Sequence, residues 1–187
     1  MSSSVPDGWE LSRLSECSEL ITKGATPTTY GYDYVEEYAE DAVTFLRGNN
    51  TSKEGRIVSS DFKFISPQAN EVLKRSQLSE GDCILTIVGT MSSSCIIPNS
   101  ILPANINQNV ALIRTKNILN AKFLSYLLQS LIRNQIEIEV TVQAQPSLSL
   151  QQVGGFVIHR PPLPEQKKIV SILTSVDEVI ENTQKQI

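Results

Sequence analysis

The sequence has few cysteines, a single histidine and no long apolar run. Its 187 residues include one histidine and three cysteines, and the cysteines show no Cys-x-x-Cys spacing. These are too few ligands for a zinc site, so we expect no metal here and reduced, buried thiols. No apolar run approaches the roughly 20 residues of a transmembrane helix. The N-terminal residues MSSSVPDGWE lack the charged start and apolar core of a signal peptide, which predicts a cytoplasmic protein.

Motifs of catalysis and cofactor binding are also missing. The chain has no GxGxxG or GxxxxGK[ST] phosphate loop and no Gly-x-Ser-x-Gly elbow. His159 stands beside three prolines, where it is poorly placed as a general base. Carboxylate pairs such as Glu36 with Glu37, or Glu137 with Glu139, have no third member of a site. The sequence therefore supports neither an enzyme nor a cofactor in this chain.

The charge balance by itself does not favour a nucleic-acid-binding protein. The net charge is −4 and the pI is near 5.1, whereas proteins that bind nucleic acid usually carry a basic field. The acids are concentrated in the segment YDYVEEYAED at 32–41, and the cations Lys23, Arg47, Lys53, Arg56 and Lys63 stand apart from them. A cationic surface is thus compatible with the negative total.

The apolar patterning predicts an α+β domain of short, mostly antiparallel strands with a few helices. The runs CILTIV at 83–88 and NVALIRT at 109–115 are typical of strands, while Ser66-Pro67 and Asn120 are typical helix starts. The stretches at 21–33 and 141–155 are rich in Gly, Thr, Ser, Gln and Pro, and we interpret them as long polar loops.

The closing segment RPPLPEQKKIVSILTSVDEVIENTQKQI, at 160–187, predicts a stiff connector followed by a projecting helix. Proline fixes φ, lacks a donor and disfavours helical geometry in the residue before it, although Pro164 suits a first helical turn. Beyond it, apolar residues recur at helical spacing. We expect the connector to hold this stripe free for a partner; the alternative is packing on its own domain, as amphipathic helices usually do. The predicted helix interface consists of Ile169, Ile172, Leu173, Val176, Val179 and Ile180.

Three polar loops carry groups suited to DNA. They are KGATPTTY at 23–30, RGNNTSKEGR at 47–56 and GTMSSS at 89–94. Arg and Asn make bidentate contacts with base edges, and hydroxyl and backbone N–H groups suit phosphate, although solvated turns have the same composition. The candidate DNA-binding residues, with two later glutamines, are Lys23, Thr26, Thr28, Tyr30, Arg47, Asn49, Asn50, Lys53, Arg56, Ser92, Ser93, Gln143 and Gln145.

The segment PPLPEQKKIV followed by an amphipathic helix resembles the conserved region of the specificity subunits of type I restriction-modification enzymes. Further matches follow in order along nearly the whole chain. They are GW at 8–9, GATP at 24–27, LSEGD at 78–82, NQNVALIR at 107–114 and QPSLSL at 145–150. The proline-helix motif is the most specific of these, and the others support it.

The resemblance implies a non-catalytic subunit in which residues 1–160 form a target recognition domain that reads one half of a split DNA site. Residues 161–187 would then be the connector and the start of a coiled-coil-like spacer helix, and the chain a half-subunit or, as the stripe still running at Ile187 favours, a fragment. The implied partners are double-stranded DNA, methyltransferase subunits, a restriction subunit and a second copy joined through the helix, with S-adenosylmethionine, ATP and Mg held by the partner subunits. The competing hypothesis is a helix-mediated scaffold that never touches DNA, which the acidic pI favours. A hydrolase built on the Glu-rich segments ranks far lower.

Overall fold

The computed structural model of the chain describes residues 6–37, 39, 41–89, 93–130 and 147–186. Its strands are β1 Glu10–Arg13, β2 Ser18–Lys23, β3 Tyr34–Val35, β4 Val43–Leu46, β5 Lys63–Ile65, β6 Cys83–Thr86, β7 Ser94–Ile96, β8 Ala104–Ile106, β9 Val110–Thr115 and β10 Val157–Arg160. Its α-helices are α1 Pro67–Val72, α2 Ala121–Gln129, α3 Leu150–Gly155 and α4 Leu163–Gln184.

The strands form three sheets with mostly antiparallel pairing. The central sheet has the order β2-β9-β6-β7, and each of its pairs is antiparallel. A second sheet has the order β3-β5-β4-β8, with β4 and β8 parallel. Strands β1 and β10 form a separate antiparallel pair. The predicted α+β class of short, mostly antiparallel strands with few helices and a long C-terminal helix is confirmed.

The inner strands of the central sheet, β6 and β9, are buried on both faces. In β6, Cys83 and Leu85 join the core cluster that contains α2, whereas Ile84 joins the cluster shared with β4 and β8. Because successive side chains of a strand point to opposite faces, a strand with both faces covered is apolar throughout. This explains the uninterrupted apolar run that predicted the strand, and all of its residues are buried.

The predicted starts of two helices are confirmed by their capping hydrogen bonds. The Ser66 hydroxyl accepts from the backbone N–H of Ala69 at 3.2 Å, at the start of α1. The Asn120 side chain accepts from the N–H of Phe123 at 3.0 Å, at the start of α2. These side chains satisfy N–H groups that have no partner within the first helical turn.

The two stretches predicted as polar loops contain regular structure, which corrects those predictions. Strand β2 runs to Lys23 because it pairs with the buried strand β9, so tertiary context outweighs local composition. Helix α3 lies in the second stretch and begins with a capping box, in which Ser149 and Gln152 bond each other's backbone N–H groups. The Ser-x-x-Gln spacing is a signal for this helix.

The proline segment lies against the domain. β10 pairs with β1, and Arg160 forms an ion pair with Glu10. Helix α4 begins at Leu163 with Pro164 in its first turn, as predicted. It then contacts α2, and Ile169 packs half-buried against the main core cluster. The helix is long, but it is not held away from the domain, which corrects that prediction and removes Ile169 from the free surface.

An ion pair at the rim of the central sheet gives a first prediction. Asp82 is buried and accepts two hydrogen bonds from the Arg114 guanidinium, at 2.8 and 2.7 Å. Replacing Asp82 with Ala should lower the free energy of unfolding by about 2–3 kcal/mol, less than for a fully buried pair, since the Arg114 side chain is 34% exposed. Urea denaturation measures this loss. Glu181→Ala, which removes an exposed partner of Lys185, is the control, and an equal loss in both variants would contradict the prediction.

Candidate nucleic-acid interface

Several loops meet at one end of the central sheet, where β2 and β6 end and β9 begins. We call this surface the loop face; it consists of residues 23–30, 47–50, 86–89 and 107–109. Each segment follows or precedes a paired strand, so its backbone position is fixed by the sheets. Loops held by a rigid scaffold are the usual location of binding residues.

The segments 23–30 and 107–109 are in direct contact. Gly24 lies so close to the β8 end that a Cβ there would be 1.7 Å from the carbonyl oxygen of Ile106. The Thr26 hydroxyl donates to the Gln108 side-chain oxygen at 2.7 Å. Glycine at position 24 therefore permits the close approach that places Thr26 beside Gln108.

The other segments close the arrangement. The N–H of Asn107 donates to the carbonyl of Leu46 at 2.9 Å, which ties 107–109 to the end of β4. The Thr86 hydroxyl donates to the carbonyl of Gly48 at 3.4 Å, and the N–H of Ile87 donates to the carbonyl of Asn109 at 2.9 Å. The loop face is thus one connected surface.

The Asp61 carboxylate holds the Arg47 side chain of segment 47–50 in place. Arg47 donates to the side chain of Asp61 at 2.5 Å and to its carbonyl at 2.9 Å, and Asn49 donates to the same carboxylate at 3.0 Å. The hydrogen bond and charge of Arg47 hold the pKa of the Asp61 carboxyl below its usual range. Asp61 therefore stays ionised at neutral pH and fixes both side chains.

The loop face brings together about half of the predicted DNA-binding residues. Lys23 is exposed at the end of β2, Thr28 and Tyr30 are exposed in the following turn, and Asn49 is exposed beside half-buried Arg47. Tyr30 shows 52% of its surface. Lys53 is exposed in the adjoining hairpin of 51–57, which the bridge between Thr51 and Ile57 closes. The residues that lie on the loop face itself are Lys23, Thr26, Thr28, Tyr30, Arg47 and Asn49.

Three predicted residues are not available on the loop face, because they are buried or point elsewhere, and these are corrections. Asn50 is fully buried, with its amide donating to the carbonyls of Val58 and Asp61, so it holds the loop together. Ser93 is also buried. Arg56 points towards α4, 3.9 Å from the carboxylate of Glu181. The remaining predicted residues, Ser92, Gln143 and Gln145, lie outside the described residues.

Two polar residues, one on this surface and one that contacts it, were not among the predicted residues. Gln108 is exposed and held by Thr26, and Asp61 orders two of the predicted residues. The Asn-Gln-Asn run at 107–109 lies between two strands and is a turn signal from which an exposed Gln108 could have been predicted. Nothing in the sequence pairs Asp61 with a loop that lies 12–14 positions before it.

The predicted helix interface forms an exposed apolar surface on α4. Ile172, Leu173, Val176, Val179 and Ile180 expose between 37 and 65% of their surfaces. We call these residues the apolar stripe. Contiguous apolar surface of this kind marks an interaction site more often than an isolated exposed side chain does.

Over the described ranges, no cluster of three or more His, Cys, Asp and Glu side chains is placed to hold a metal ion. Within the same ranges, no helix combines the length and apolar character that crossing a membrane requires. All three cysteines are buried free thiols, and burial raises the pKa of Cys83 and Cys95, the latter to about 12.

Comparison with known sequences gives a match along almost the whole chain. The family model "Type I restriction modification DNA specificity domain" matches residues 6–187. The chain is 24% identical over 193 residues to the putative type I restriction enzyme MjaX specificity subunit of Methanocaldococcus jannaschii, and 26% identical over 187 residues to the MjaIX specificity subunit of the same organism. Both matches cover 98% of this chain, but only 43% and 41% of the relatives.

Solved structures share the fold. One, described as showing complex assembly and conformational transition of the type I R-M system, has a TM-score of 0.75 at 20% identity and covers 99% of this chain and 42% of that chain. The HsdS subunit from Thermoanaerobacter tengcongensis has a TM-score of 0.72 at 19% identity, covering 99% and 46%. The chain thus spans less than half the length of these relatives.

The contact at Gly24 gives a second prediction. Gly24→Ala places a methyl group against the carbonyl of Ile106, so segments 23–30 and 107–109 must separate. We expect a loss of about 1–3 kcal/mol in the free energy of unfolding, together with faster amide exchange at Thr26 and Gln108. Gly155→Ala is the control, because nothing lies within 4 Å of a Cβ at that position. An unchanged stability of Gly24→Ala would mean that the two segments are not packed as described.

Proposed function

The chain belongs to the type I restriction modification DNA specificity domain family, and from this premise we propose that its loop face reads one half of a bipartite DNA site. Its role in that family is recognition, not catalysis. The observation that carries the proposal is the convergence of separate polar loops into one surface at the ends of buried strands. A fixed array of polar side chains is what direct readout of base edges requires.

The loop face offers groups for both kinds of DNA contact. Lys23 is an exposed cation suited to phosphate, and the neighbouring Lys53 is a second. Asn49 and Gln108 carry planar amides, which pair with adenine edges through one donor and one acceptor. Each amide is anchored, Asn49 by Asp61 and Gln108 by Thr26, so little side-chain freedom is lost on binding.

The role of Arg47 on the loop face depends on its ion pair with Asp61. Its pairing with Asp61 orients the guanidinium but also offsets its charge. A fixed guanidinium favours a directed contact to a guanine edge over a loose attraction to phosphate. We propose that Asp61 directs Arg47, and that Lys23 and Lys53 supply the phosphate contacts.

The negative total charge fits a domain that works within an assembly. We propose that methyltransferase subunits and a restriction subunit supply much of the grip on the phosphate backbone, and that S-adenosylmethionine, ATP and Mg belong to those partners. The domain then contributes base readout, for which local geometry matters more than net charge. The net charge of −4 limits nonspecific binding by the isolated chain.

The apolar stripe of α4 is proposed as the contact for a second spacer helix. The chain spans less than half of its relatives, so the second helix belongs either to the remainder of a longer protein or to a second copy of this chain. Complete burial of a fully exposed side chain of this kind is worth about 1.5–3 kcal/mol. The stripe residues still expose 37–65% of their surfaces, so covering them recovers part of that free energy for each residue and favours association. The stripe alone would also suit a scaffold that never contacts DNA. The DNA-binding measurement that follows distinguishes this scaffold from a DNA-recognition domain.

The DNA proposal predicts a defined salt dependence. Lys23→Ala should weaken binding of this chain to random-sequence duplex DNA and lower the salt slope by about one unit, because one phosphate contact is lost. Fluorescence anisotropy over a series of salt concentrations measures both quantities. Arg56→Ala is a matched control: it also removes one exposed cation, but one that faces Glu181 on α4.

Two outcomes would count against the proposal. Wild-type chain that shows no salt-dependent binding, alone or with its methyltransferase subunit, would favour the scaffold hypothesis. Equal effects of Lys23→Ala and Arg56→Ala would mean that net charge, not the loop face, governs binding. A thermal melt of each variant checks that the domain stays folded.

The stripe predicts association through α4. Val176→Asp together with Val179→Asp places two charges in the apolar stripe, at residues that expose 50 and 65% of their surfaces in the chain. We expect the double variant to stay folded and to lose self-association, or assembly with a second spacer helix, because charges cannot be buried there without partners. Analytical ultracentrifugation measures the first, and co-purification with the methyltransferase subunit the second.

The control places the same charges on another side of the helix. Ser171→Asp with Ser175→Asp adds two carboxylates at exposed positions outside the stripe. Association should persist in this variant. If the stripe variant unfolds the domain, or if both variants associate equally, the stripe is not an interface.

A further inference from the structure

One buried glutamine joins α4 to the domain. Gln166 is fully buried, whereas the other described residues of α4 are half-buried or exposed. Its side-chain oxygen accepts from the N–H of Asn120 at 2.8 Å, and its amide donates to the carbonyls of Ile118 at 3.0 Å and Pro161 at 2.8 Å. Both amide hydrogens are therefore used, and the connector, the start of α2 and the start of α4 meet at this one side chain.

A second attachment lies about three turns further along α4. The Tyr126 hydroxyl, on α2, donates to the carboxylate of Asp177 at 2.6 Å and lies 3.3 Å from the Thr174 hydroxyl. The Lys122 ammonium sits 4.9 Å from the centre of the same ring. Burial and the Asp177 hydrogen bond raise the pKa of Tyr126, so the hydroxyl keeps its proton and its donor role at neutral pH.

These attachments fix the rotation of the helix about its own axis. At 3.6 residues per turn, Gln166, Val170 and Asp177 share one side of α4, and this side faces the domain. Ile172, Val176 and Val179 lie about a third of a turn around the helix. The domain therefore leaves Ile172, Val176 and Val179 of the apolar stripe turned away from it. Leu173 and Ile180 lie next to the contact, where they line a groove with Tyr126.

We propose that Gln166 is a positioning residue that sets the angle at which α4 leaves the domain, with the Tyr126–Asp177 bond as the second point of a two-point clamp. The clamp determines where the apolar stripe lies relative to the loop face. The consequence for half-site spacing rests on the proposed function: a helix fixed in tilt and rotation gives one separation between two recognition domains. The clamp itself is a property of this chain and is testable without DNA.

A small change in the angle of α4 at Gln166 produces a large displacement at the C-terminal end of the helix. Residues 166–182 correspond to about 24 Å of helix, so a tilt of about 10° at Gln166 moves Asn182 by about 4 Å. A side chain with three hydrogen bonds resists such a tilt better than apolar contacts, which tolerate sliding.

The test measures the distance between the loop face and the far part of α4. Spin labels are attached to Thr29→Cys and Asn182→Cys, both at exposed positions, and the distance distribution is recorded by pulsed electron spin resonance. The native cysteines are buried, so the labels react at the new sites. The chain without further change should give one narrow distribution.

The variants remove one point of the clamp at a time. Gln166→Glu has almost the same shape and still accepts from Asn120, but it turns an oxygen towards the carbonyls of Ile118 and Pro161. We expect the distribution to broaden and its mean to move by about 4 Å, as the lever length implies. Tyr126→Phe removes only the hydroxyl and should broaden the distribution less. Gln184→Glu, the same change at an exposed position of α4, should leave it unchanged.

Circular dichroism and a thermal melt accompany each measurement. A folded Gln166→Glu variant with the wild-type distribution would overturn the proposal. If Gln166→Glu unfolds the domain, Tyr126→Phe decides: broadening supports the clamp, and a wild-type distribution refutes it. If the unmodified chain does not bind DNA, the proposed function is wrong, but the measured distance still tests the clamp. The two failures are therefore distinguishable.

Discussion

The burial of β6 and β9 on both faces is the constraint on which the rest of the structure depends. One face of this strand pair is closed by α2 and α3 and the other by β4 and β8. Polar groups cannot be accommodated along such strands without partners, so polar side chains that are free to bind must stand at the strand ends. The loops at one end are tied to each other by backbone hydrogen bonds that continue the sheet, such as those of Ile87 and Asn107. The same burial that excludes function from the middle of the sheet therefore gives the loop face its rigidity.

Much of the fold was predictable because local and tertiary preferences agree. Continuous apolar runs predicted the strands that are buried on both faces, and Ser66, Asn120 and Pro164 marked helix starts by side-chain chemistry that needs no distant partner. Strand β2 was not predicted, because its exposed positions read as a polar loop until β9 is placed beside it. The residue types alone named no function; the order of motifs along the chain did, through family resemblance.

The candidate site shows where sequence reasoning stops. Asn49 and Asn50 are adjacent and chemically identical, yet Asn49 is exposed on the loop face and Asn50 is buried as the internal tie of the same loop. Arg47 and Arg56 flank one hairpin, but one is fixed by Asp61 on the loop face and the other faces α4. Composition identifies the loop correctly. Only the turn geometry decides which of its side chains point outward, because neighbouring residues in a tight turn diverge in direction.

In helix α4, polar side chains make key contacts with the domain, while several apolar side chains are exposed. An amphipathic pattern normally indicates the side that faces the core, and by that rule the apolar stripe would cover the domain. Instead the domain holds the helix through Gln166 and Tyr126, with Ile169 and Val170 as the apolar part of the contact. A polar attachment of this kind is directional, since hydrogen bonds fix both angle and distance. Ile172, Val176 and Val179 lie outside this attachment and stay exposed. Under the proposed function, a fixed angle between α4 and the loop face would set the distance between two recognition domains.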